Sequence, residues 1–582
     1  MEMNPKFEAI KTVLMKSYDG LPYYLKSCFL YLSIFPEDRN VSRRRLVCRW
    51  MAEGYSRDRV MADRNFMELV ERSMILPTQQ SVCSIHGFDS CQLHDLIRDI
   101  SIAKSMEENL VFILEEGCSL DTHGVVRHLS VSNNWDGDER QFETIVELSR
   151  IRSLTVFGKW RPFYISDKMT FLRVLDLEGT KDLANRDLAY IGKLLHLRYL
   201  SLRGCDEIYN LPDSVGNLRQ LETLDIKKTQ IAVLPKTIIK LTKLQYLHAG
   251  DVSIRGEETN CYTKCQNIVD MQCGLCQVCC LKEQDDLGRC DACTIVYCIM
   301  FPNIIRGIDH YGVKVPRGTK KLKALCTLRY VHLAWGNAVI KEIKGLTGLR
   351  KLGVVGINKK NGPGFCSAIS SLSRLESLSV LSGVGGLIGC LDDMSTAPKN
   401  LQSLKLSGSL EKLPEWIKGL QNLVKLKLNS TSLTCNRAAM QALGNLQNLS
   451  IMGLYEKKTQ MDVFKFQSGL FRRLKVLELF YIRAEIKLVD FEEESVPNLE
   501  TLILRLFDTE TAFSGLEILK SIKKVRLHAN FRDYSFRLLQ DNVVKELHEE
   551  VQKKDKLMKD KIMEDLRMQL DRNKNRPILK VE

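Results

Sequence analysis

The sequence predicts an α/β chain: a long coiled array of short strands and turns, preceded by an α-rich domain. Three observations predict it. A six-residue apolar template recurs at near-constant spacing from Val126 onward, a Leu-Pro phrase recurs between its copies, and the N-terminal stretch repeats its apolar residues at helical rather than strand period.

The template is apolar-x-x-apolar-x-apolar. It reads "VRHLSV" at 126, "IRSLTV" at 151, "LRVLDL" at 172, "LRYLSL" at 197, "LETLDI" at 221 and "LQYLHA" at 244. After a longer step come "LRYVHL" at 328, "LRKLGV" at 349, "LESLSV" at 375, "LQSLKL" at 401, "LVKLKL" at 423, "LQNLSI" at 446, "LKVLEL" at 474, "LETLIL" at 499 and "IKKVRL" at 522. These fifteen copies are spaced 21 to 28 residues apart, except for the 84-residue step from 244 to 328. The pattern is that of leucine-rich repeats, in which each unit supplies one short strand to a shared core that no single unit closes. Each buried leucine contributes about 1.5–3 kcal/mol, so stacking many units offsets the entropy of ordering them. The phrases "LPDSVGNL" at 211, "LPKTIIKL" at 234 and "LPEWIKGL" at 413 turn the chain on the convex side.

Residues between the strand apolars face the concave side of the horseshoe. They are Arg173, Asp176 and Glu178 in one repeat, Arg198, Ser201 and Arg203 in the next, then Glu222, Asp225 and Lys227. Later rows turn basic, with Lys405, Lys425 and Lys427. A wide wall of mixed charge suits a protein partner, so Arg173, Asp176, Arg198, Arg203, Asp225, Lys405 and Lys427 are the expected partner-binding residues. The alternative is a solvated face that serves solubility alone.

Before the repeats, Phe7, Ile10 and Leu14 open a helix, and "YDGLPYYLKSCFLYLSIFPED" carries a second with Leu25, Cys28, Phe29 and Leu32. Ser42 is placed to cap a third helix that stops at Gly54, and "RNFMELVERSMI" makes a fourth. "ILPTQQSVCSIHGFDSCQLHD" reads as two short strands around His86-Gly87. Helices followed by such a hairpin make a winged helix. That fold raises DNA binding as an alternative function, with Arg43, Arg44 and Arg45 available to phosphates, but no basic stripe or base-reading Asn/Gln set accompanies them.

The stretch "LMKSYDGLPYYLKSCFLYLSIFPEDRNVSRRRLVCRWMAEGY", with "MELVERSMI", "LHDLIRD" and the repeats, closely resembles the C-terminal half of plant intracellular NLR (NB-LRR) disease-resistance proteins of the cereal type. The likeness runs from about residue 10 to about 535, and Leu93-His94-Asp95 matches the family's Met-His-Asp triplet with Leu in place of Met. The resemblance implies that His94 contacts the β-phosphate of bound ADP in the resting state and that Asp95 orients the adjoining loops. It also implies an ADP/ATP switch, recognition of a pathogen effector or a guarded host protein, and contact with a nucleotide-binding domain. No G-x-x-x-x-G-K-[ST] phosphate loop occurs in this sequence, and the nearest phrase, "YIGKLL" at 190, belongs to a repeat. This chain alone is therefore expected to bind ADP weakly or not at all.

The long step in the array holds "CYTKCQNIVDMQCGLCQVCCLKEQDDLGRCDACTIVYC". Cys276-x2-Cys279 and Cys290-x2-Cys293 have the spacing of a zinc ribbon. Against zinc, no glycine or basic residue sits inside either Cys-x2-Cys turn, and Cys273 and Cys280 leave the ligand set undefined, so a reduced surface insertion is the favoured reading. The expected domains are a winged helix over 1–110, repeats over 111–540 with the cysteine-rich insertion near 252–315, and a charged helical tail over 541–582 that caps the array.

Composition bounds the remaining classes. The 582 residues are 44% apolar, which excludes general disorder, and the net charge of +14 is a mild excess over this length rather than a nucleic-acid footprint. The N-terminus shows no basic-then-apolar leader and no run of about 18 apolar residues occurs, so no membrane span is expected and the expected location is cytoplasmic with access to the nucleus. Nineteen cysteines then read as reduced thiols, and the Asn-x-Ser/Thr triplets at Asn40, Asn429 and Asn448 as chance. No Gly-x-Ser-x-Gly, His-Glu-x-x-His or positioned carboxylate pair points to an enzyme. A ubiquitin-ligase adaptor, the other interaction-protein reading, would pair the repeats with an F-box, a short helical trio without a wing.

Overall fold

A computed structural model describes residues 5–80, 88–116, 126–250, 312–528 and 559–581, except 146, 334–335, 383–385, 395, 432, 434–436, 458–459, 483–484 and 508–510. Its α-rich start comprises α1 (Pro5–Asp19), α2 (Tyr23–Leu30), α3 (Arg43–Glu53), α4 (Arg59–Glu71) and α5 (Asp95–Glu107). A small antiparallel sheet of β1 (Val41–Ser42), β2 (Leu76–Gln80) and β3 (Phe88–Gln92), in the order β1-β3-β2, completes the winged helix. Its core is built on Leu25, Phe29, Leu46, Val47, Trp50, Phe66 and Leu69, all fully buried.

Local rules account for the helix ends. Gly54 takes the left-handed conformation (φ 89°) that closes α3, a geometry costly to residues with a Cβ. Asp58 caps α4 by accepting from the Met61 amide at 2.9 Å. Ser42 does stand at the N-cap of α3, but its side chain makes no capping bond.

Among the described residues the repeats form one curved parallel sheet of seventeen strands, from Val111–Leu114 to Ile578–Val581. Adjacent strands pair in a constant register, for instance Leu154↔Leu175↔Leu200↔Leu224↔Leu247. The first, second and third apolar positions enter the core, as Leu172, Leu175 and Leu177 show with no exposed surface, and the intervening Val174 and Asp176 face the concave side. The Leu-Pro phrases become short 3-10 or α turns on the convex side, at Asp213–Asn217, Lys236–Lys240 and Glu415–Lys418. Later repeats add a second parallel sheet there, Gln460–Phe466, Glu485–Phe491 and Ala512–Ser514, whose Phe466 and Phe491 stack 4.9 Å apart.

Two repeats begin three residues away from the frames the sequence suggested. Leu328 pairs with Leu247 and Leu352, so it fills the second apolar position and that repeat opens at Leu325. Here the apolar residues satisfy two overlapping frames, and a bulge at Tyr330 (φ 60°) shifts the register after Leu328. Likewise Met452 pairs with Leu426, so the repeat expected at 446 starts at Leu449. Its second position is Met, which the template does not anticipate, while Leu443, Leu446 and Leu449 fall at the same three-residue spacing.

The ends are closed differently. At the N-terminal end, Val111–Leu114 follows α5 directly and pairs with His128–Val131, so the winged helix runs into the sheet without a linker. At the other end, a helix at 559–572 buries Ile562, Leu566 and Leu570 in the repeat core. Asn573 then donates to the Leu516 and Leu519 carbonyls at 2.8 and 3.0 Å, and Ile578–Val581 adds the final strand.

Candidate functional site

Helix α3 lies against the concave face of the first repeats. It carries Arg43, Arg44, Arg45 and Arg49, yet from Arg45 to Glu53 every residue is buried. A helix this charged is buried only where each charge finds a partner. Arg45 Nε donates to Asp176 Oδ2 at 2.7 Å, and Arg49 Nη1 donates to the same oxygen at 2.6 Å. The rest of the Arg49 fork is satisfied as well, by Tyr31 Oη at 2.9 Å and by Thr155 Oγ1 at 2.6 Å. Arg44 reaches Asp225 at 2.8 Å, and Arg43 turns inward to Asp63 at 2.8 Å.

Asp176 has no exposed surface. Burial alone would push its carboxyl up, but the Arg45 and Arg49 guanidiniums beside it hold it below the usual carboxylate range. The traffic also runs the other way: Arg173 donates to the Glu53 carbonyl at 3.0 Å and Arg198 to the Ala52 carbonyl at 3.1 Å, satisfying the last turn of α3. Apolar contacts seal the joint. Val174, Tyr199 and Tyr246 from the concave strands belong to the same buried cluster as Trp50 and Phe29. Phe35 of the winged helix meets Phe157 of the solenoid edge-on, ring centroids 6.4 Å apart.

A second group closes the joint at its N-terminal corner. His128 Nε2 lies 2.6 Å from Tyr55 Oη, and His128 Nδ1 is 3.7 Å from Glu53 Oε1. Burial pushes the Glu53 carboxyl up to about 7, against the pull of Arg49 and neighbouring arginines. Burial, helped by Arg49, holds His128 well below the usual imidazole range.

This geometry revises the expected partner surface. Arg173, Asp176, Arg198 and Asp225 are occupied by the chain's own winged helix and do not face a diffusible partner. Arg203 completes the same network, 3.6 Å from Asp225 and 3.8 Å from Glu178. The reason is charge complementarity between the acidic first rows and α3, which sequence reading of each domain separately misses. Arg44 and Arg45, offered to DNA phosphates in the winged-helix alternative, are committed to the solenoid, and Arg43 to Asp63. Lys405 and Lys427 lie in the uncovered half, paired in register on adjacent strands. Lys427 donates to Glu478 at 3.0 Å and to Tyr455 Oη at 2.5 Å.

His94 and Asp95 stand exposed at the start of α5, with His94 at the N-cap position and its side chain making no capping bond. Cys276, Cys279, Cys290 and Cys293 lie outside the described residues. Among the described residues no cluster of three or more His, Cys, Asp or Glu could hold a metal, and no helix is long and apolar enough to cross a membrane.

The fold and this joint define a class, a leucine-rich-repeat protein with a winged helix seated in its concave face. The family model for the disease resistance protein winged helix domain matches residues 34–101, and that for a leucine-rich repeat region matches 150–272 and 307–556. The rice disease resistance protein Pik-2 is 29% identical over 554 residues, covering 89% of this chain and 51% of the relative. Rice disease resistance protein RGA4 is 27% identical over 547 residues, covering 91% and 48%. The chain belongs to the plant disease-resistance proteins of the winged-helix and leucine-rich-repeat type, and it spans about half the length of the curated relatives it matches. A solved leucine-rich-repeat protein of Leptospira interrogans aligns with a TM-score of 0.37 at 16% identity, over 73% of this chain and 92% of that one.

Two measurements check the joint. Asp176→Ala strands two buried guanidiniums and is expected to cost about 3–5 kcal/mol in denaturant unfolding and to expose α3 to hydrogen exchange, whereas Glu178→Ala, a partly exposed partner, costs under about 1 kcal/mol. The joint also titrates. Glu53, raised above its unfolded value, contributes stability that is lost as pH rises through about 7. His128, held below its unfolded value, loses stability as pH falls through about 6.5. The Glu53 loss runs from its unfolded value of 4.5 up to about 7 and opposes the His128 gain, so the two largely cancel from about pH 5 to 6.5, and stability should then fall by well under about 1 kcal/mol and level off above about pH 7.5. Glu53→Gln should remove that cancellation, so that stability rises with pH up to about 6.5 and stays level above it.

Proposed function

We propose that this chain is the switch-coupling and recognition portion of an intracellular immune receptor, acting in the cytoplasm with access to the nucleus. It recognises a pathogen effector, or a host protein altered by one, through the repeat surface that the winged helix leaves uncovered. The observation that carries this reading is the α3 joint. Because a helix of the winged helix is built into the sheet by buried ion pairs, movement of that domain and binding on the solenoid share one rigid body and can bias one another. The chain acts by binding, not by catalysis.

Within that reading, His94 and Asp95 are the edge of a nucleotide site, with His94 one donor to an ADP phosphate held mainly by residues that this sequence does not contain. When the nucleotide is bound, it supplies the two states, ADP-bound at rest and ATP-bound when active. This chain's residues supply the lever: α5 carries His94, and the same domain buries Arg45 and Arg49 in the solenoid.

Two experiments test the reading. Disrupting the gene in its host plant should remove resistance to at least one isolate from a diverse pathogen panel while leaving growth unchanged; unchanged resistance to every isolate would overturn the immune assignment. Calorimetric titration of the purified chain with ADP should show no micromolar binding, because one imidazole cannot replace a phosphate loop's amides, lysine and magnesium ligand. Tight binding would mean that the site is complete within this chain.

A further inference from the structure

Beyond the joint, the concave wall changes character. Two rows of concave positions run across four adjacent strands, Lys351, Ser377, Ser403 and Lys425 in one and Gly353, Ser379, Lys405 and Lys427 in the next, and a third, Leu381, Ser407 and Asn429, runs across the last three. On the two strands before Lys405 the facing residues are glycine and serine, so its long side chain and those of Arg329 and Lys351 stand around a floor without bulky groups. Arg329 reaches across that floor to Ser377 Oγ at 3.4 Å.

Charge on this floor is not balanced. The cations felt at Lys405 are Lys427, Arg329, Lys227 and Lys425, and burial together with their repulsion pushes its ammonium down to about 7. Burial and the neighbouring Arg59 and Arg329 likewise push Lys351 down to about 8, with Glu376 and Asp63 pulling weakly the other way. The nearest acid along the Lys405 row, Glu478, is committed elsewhere: it accepts from Lys427 and from Tyr455 at 2.6 Å, and Arg505 lies 3.3 Å away. Two hydroxyls are also left over. Ser379 Oγ and Ser407 Oγ are buried without a hydrogen-bond partner, and both side chains belong to residues more than nine-tenths buried. Each such donor costs free energy unless something meets it.

The basin is bounded. On one side stands the winged helix, whose Arg44 and Arg59 add to the positive field. On the other, the concave positions turn apolar, with Ile451, Val476 and Ile503 forming a small buried cluster of their own. An extended acidic peptide would run from the cations onto that apolar patch, and a flat bilayer cannot follow a concave wall. A compact, multiply charged oxyanion matches both the extent of the charge and the unmet donors.

We propose that this basin binds a soluble phosphate-bearing small molecule, with Lys405, Lys351 and Arg329 neutralising its charge and the Ser379 and Ser407 hydroxyls donating to its oxygens. Such a ligand would tie the strands flanking the joint to one another and stiffen the wall on which α3 sits. The proposal does not depend on the immune reading, since ligand binding is measured on the purified chain.

The test is calorimetric titration of the chain with inorganic pyrophosphate in low-chloride buffer. One saturable site is expected, weakened about tenfold or more by Lys405→Met, since one charge-assisted contact is lost. Ser379→Ala should weaken it a few-fold, and Lys523→Met, an exposed lysine paired with Glu500, should leave it unchanged. In the second readout, the Lys405 side-chain carbon resonance of lysine-labelled protein should titrate near neutral pH in the free chain. Pyrophosphate should move that midpoint upward, because the anion favours the ammonium form. Absence of saturable binding, equal binding by Lys405→Met, or an unmoved Lys405 midpoint overturns the proposal. Tighter binding by a poly-glutamate peptide overturns it in favour of an acidic protein segment, and tighter binding by vesicles carrying phosphoinositides overturns it in favour of a membrane.

Discussion

One carboxylate, Asp176, organises the molecule. It sits without solvent at the bottom of the concave face and is met by Arg45 and Arg49 from a different domain. Desolvating three charged groups costs several kcal/mol per ion, and their mutual attraction returns that only if the geometry is good and every remaining donor is met. Tyr31, Ser153 and Thr155 complete the Arg49 fork, whereas Arg45 keeps one buried nitrogen, Nη2, without a hydrogen-bond partner, so the cost is offset most fully at Arg49 and in this one orientation. A purely apolar joint of the same area would tolerate sliding along the sheet. The ion pairs instead fix which strand lies beneath which turn of α3, and the backbone carbonyls of Ala52 and Glu53 are held in turn by Arg198 and Arg173.

From that constraint follows the asymmetry of the solenoid. The first rows carry the acids Asp176, Glu178, Glu222 and Asp225, and each lies within ion-pair distance of an arginine of α3 or of the concave rows. Past the winged helix the facing residues become lysines with few acids. Lys427 and Glu478 form the main pair there, where burial would raise the Glu478 carboxyl but Lys427 and Tyr455 bring it down to about 2. The same sheet geometry thus presents two surfaces, one chemically complete and one that still holds unmatched positive charge.

Much of this was legible in the sequence, for identifiable reasons. The period of the array shows because strand residues facing a core must be apolar at fixed intervals. Among the described repeats it misplaces the frame where that rule is degenerate, at Leu328 with its bulged neighbour and at Met452 with leucines three apart upstream, and it does not mark the end strands Val111–Leu114 and Ile578–Val581. The winged helix shows in its helical periods and in Gly54. The joint does not show, because pairing Arg45 and Arg49 with Asp176 couples positions about 130 residues apart, and no local pattern records such a separation. One signal was available: a helix carrying four arginines among Leu46, Val47 and Trp50 is too charged to form a core and too apolar to be a solvated face. Its natural counterpart was the acidic ladder already visible in the concave rows.

That mismatch has a mechanical consequence. Since α5 begins beside the exposed His94 and buries Ile97 and Ile100 in the same core as Trp50, a displacement of that end cannot be absorbed within the winged helix, whose interior is close-packed. It must pass either to the strand Val111–Leu114 that follows α5 or to the α3 joint. That strand is paired with His128–Val131, so it resists bending. Within the joint the weakest contact is the corner where Glu53 and His128 meet across 3.7 Å with no hydrogen bond between them, and a proton on Glu53 changes the balance there. Opening of the joint is therefore expected to begin where Glu53 faces His128, with the Asp176 ion pairs as the last contacts to yield.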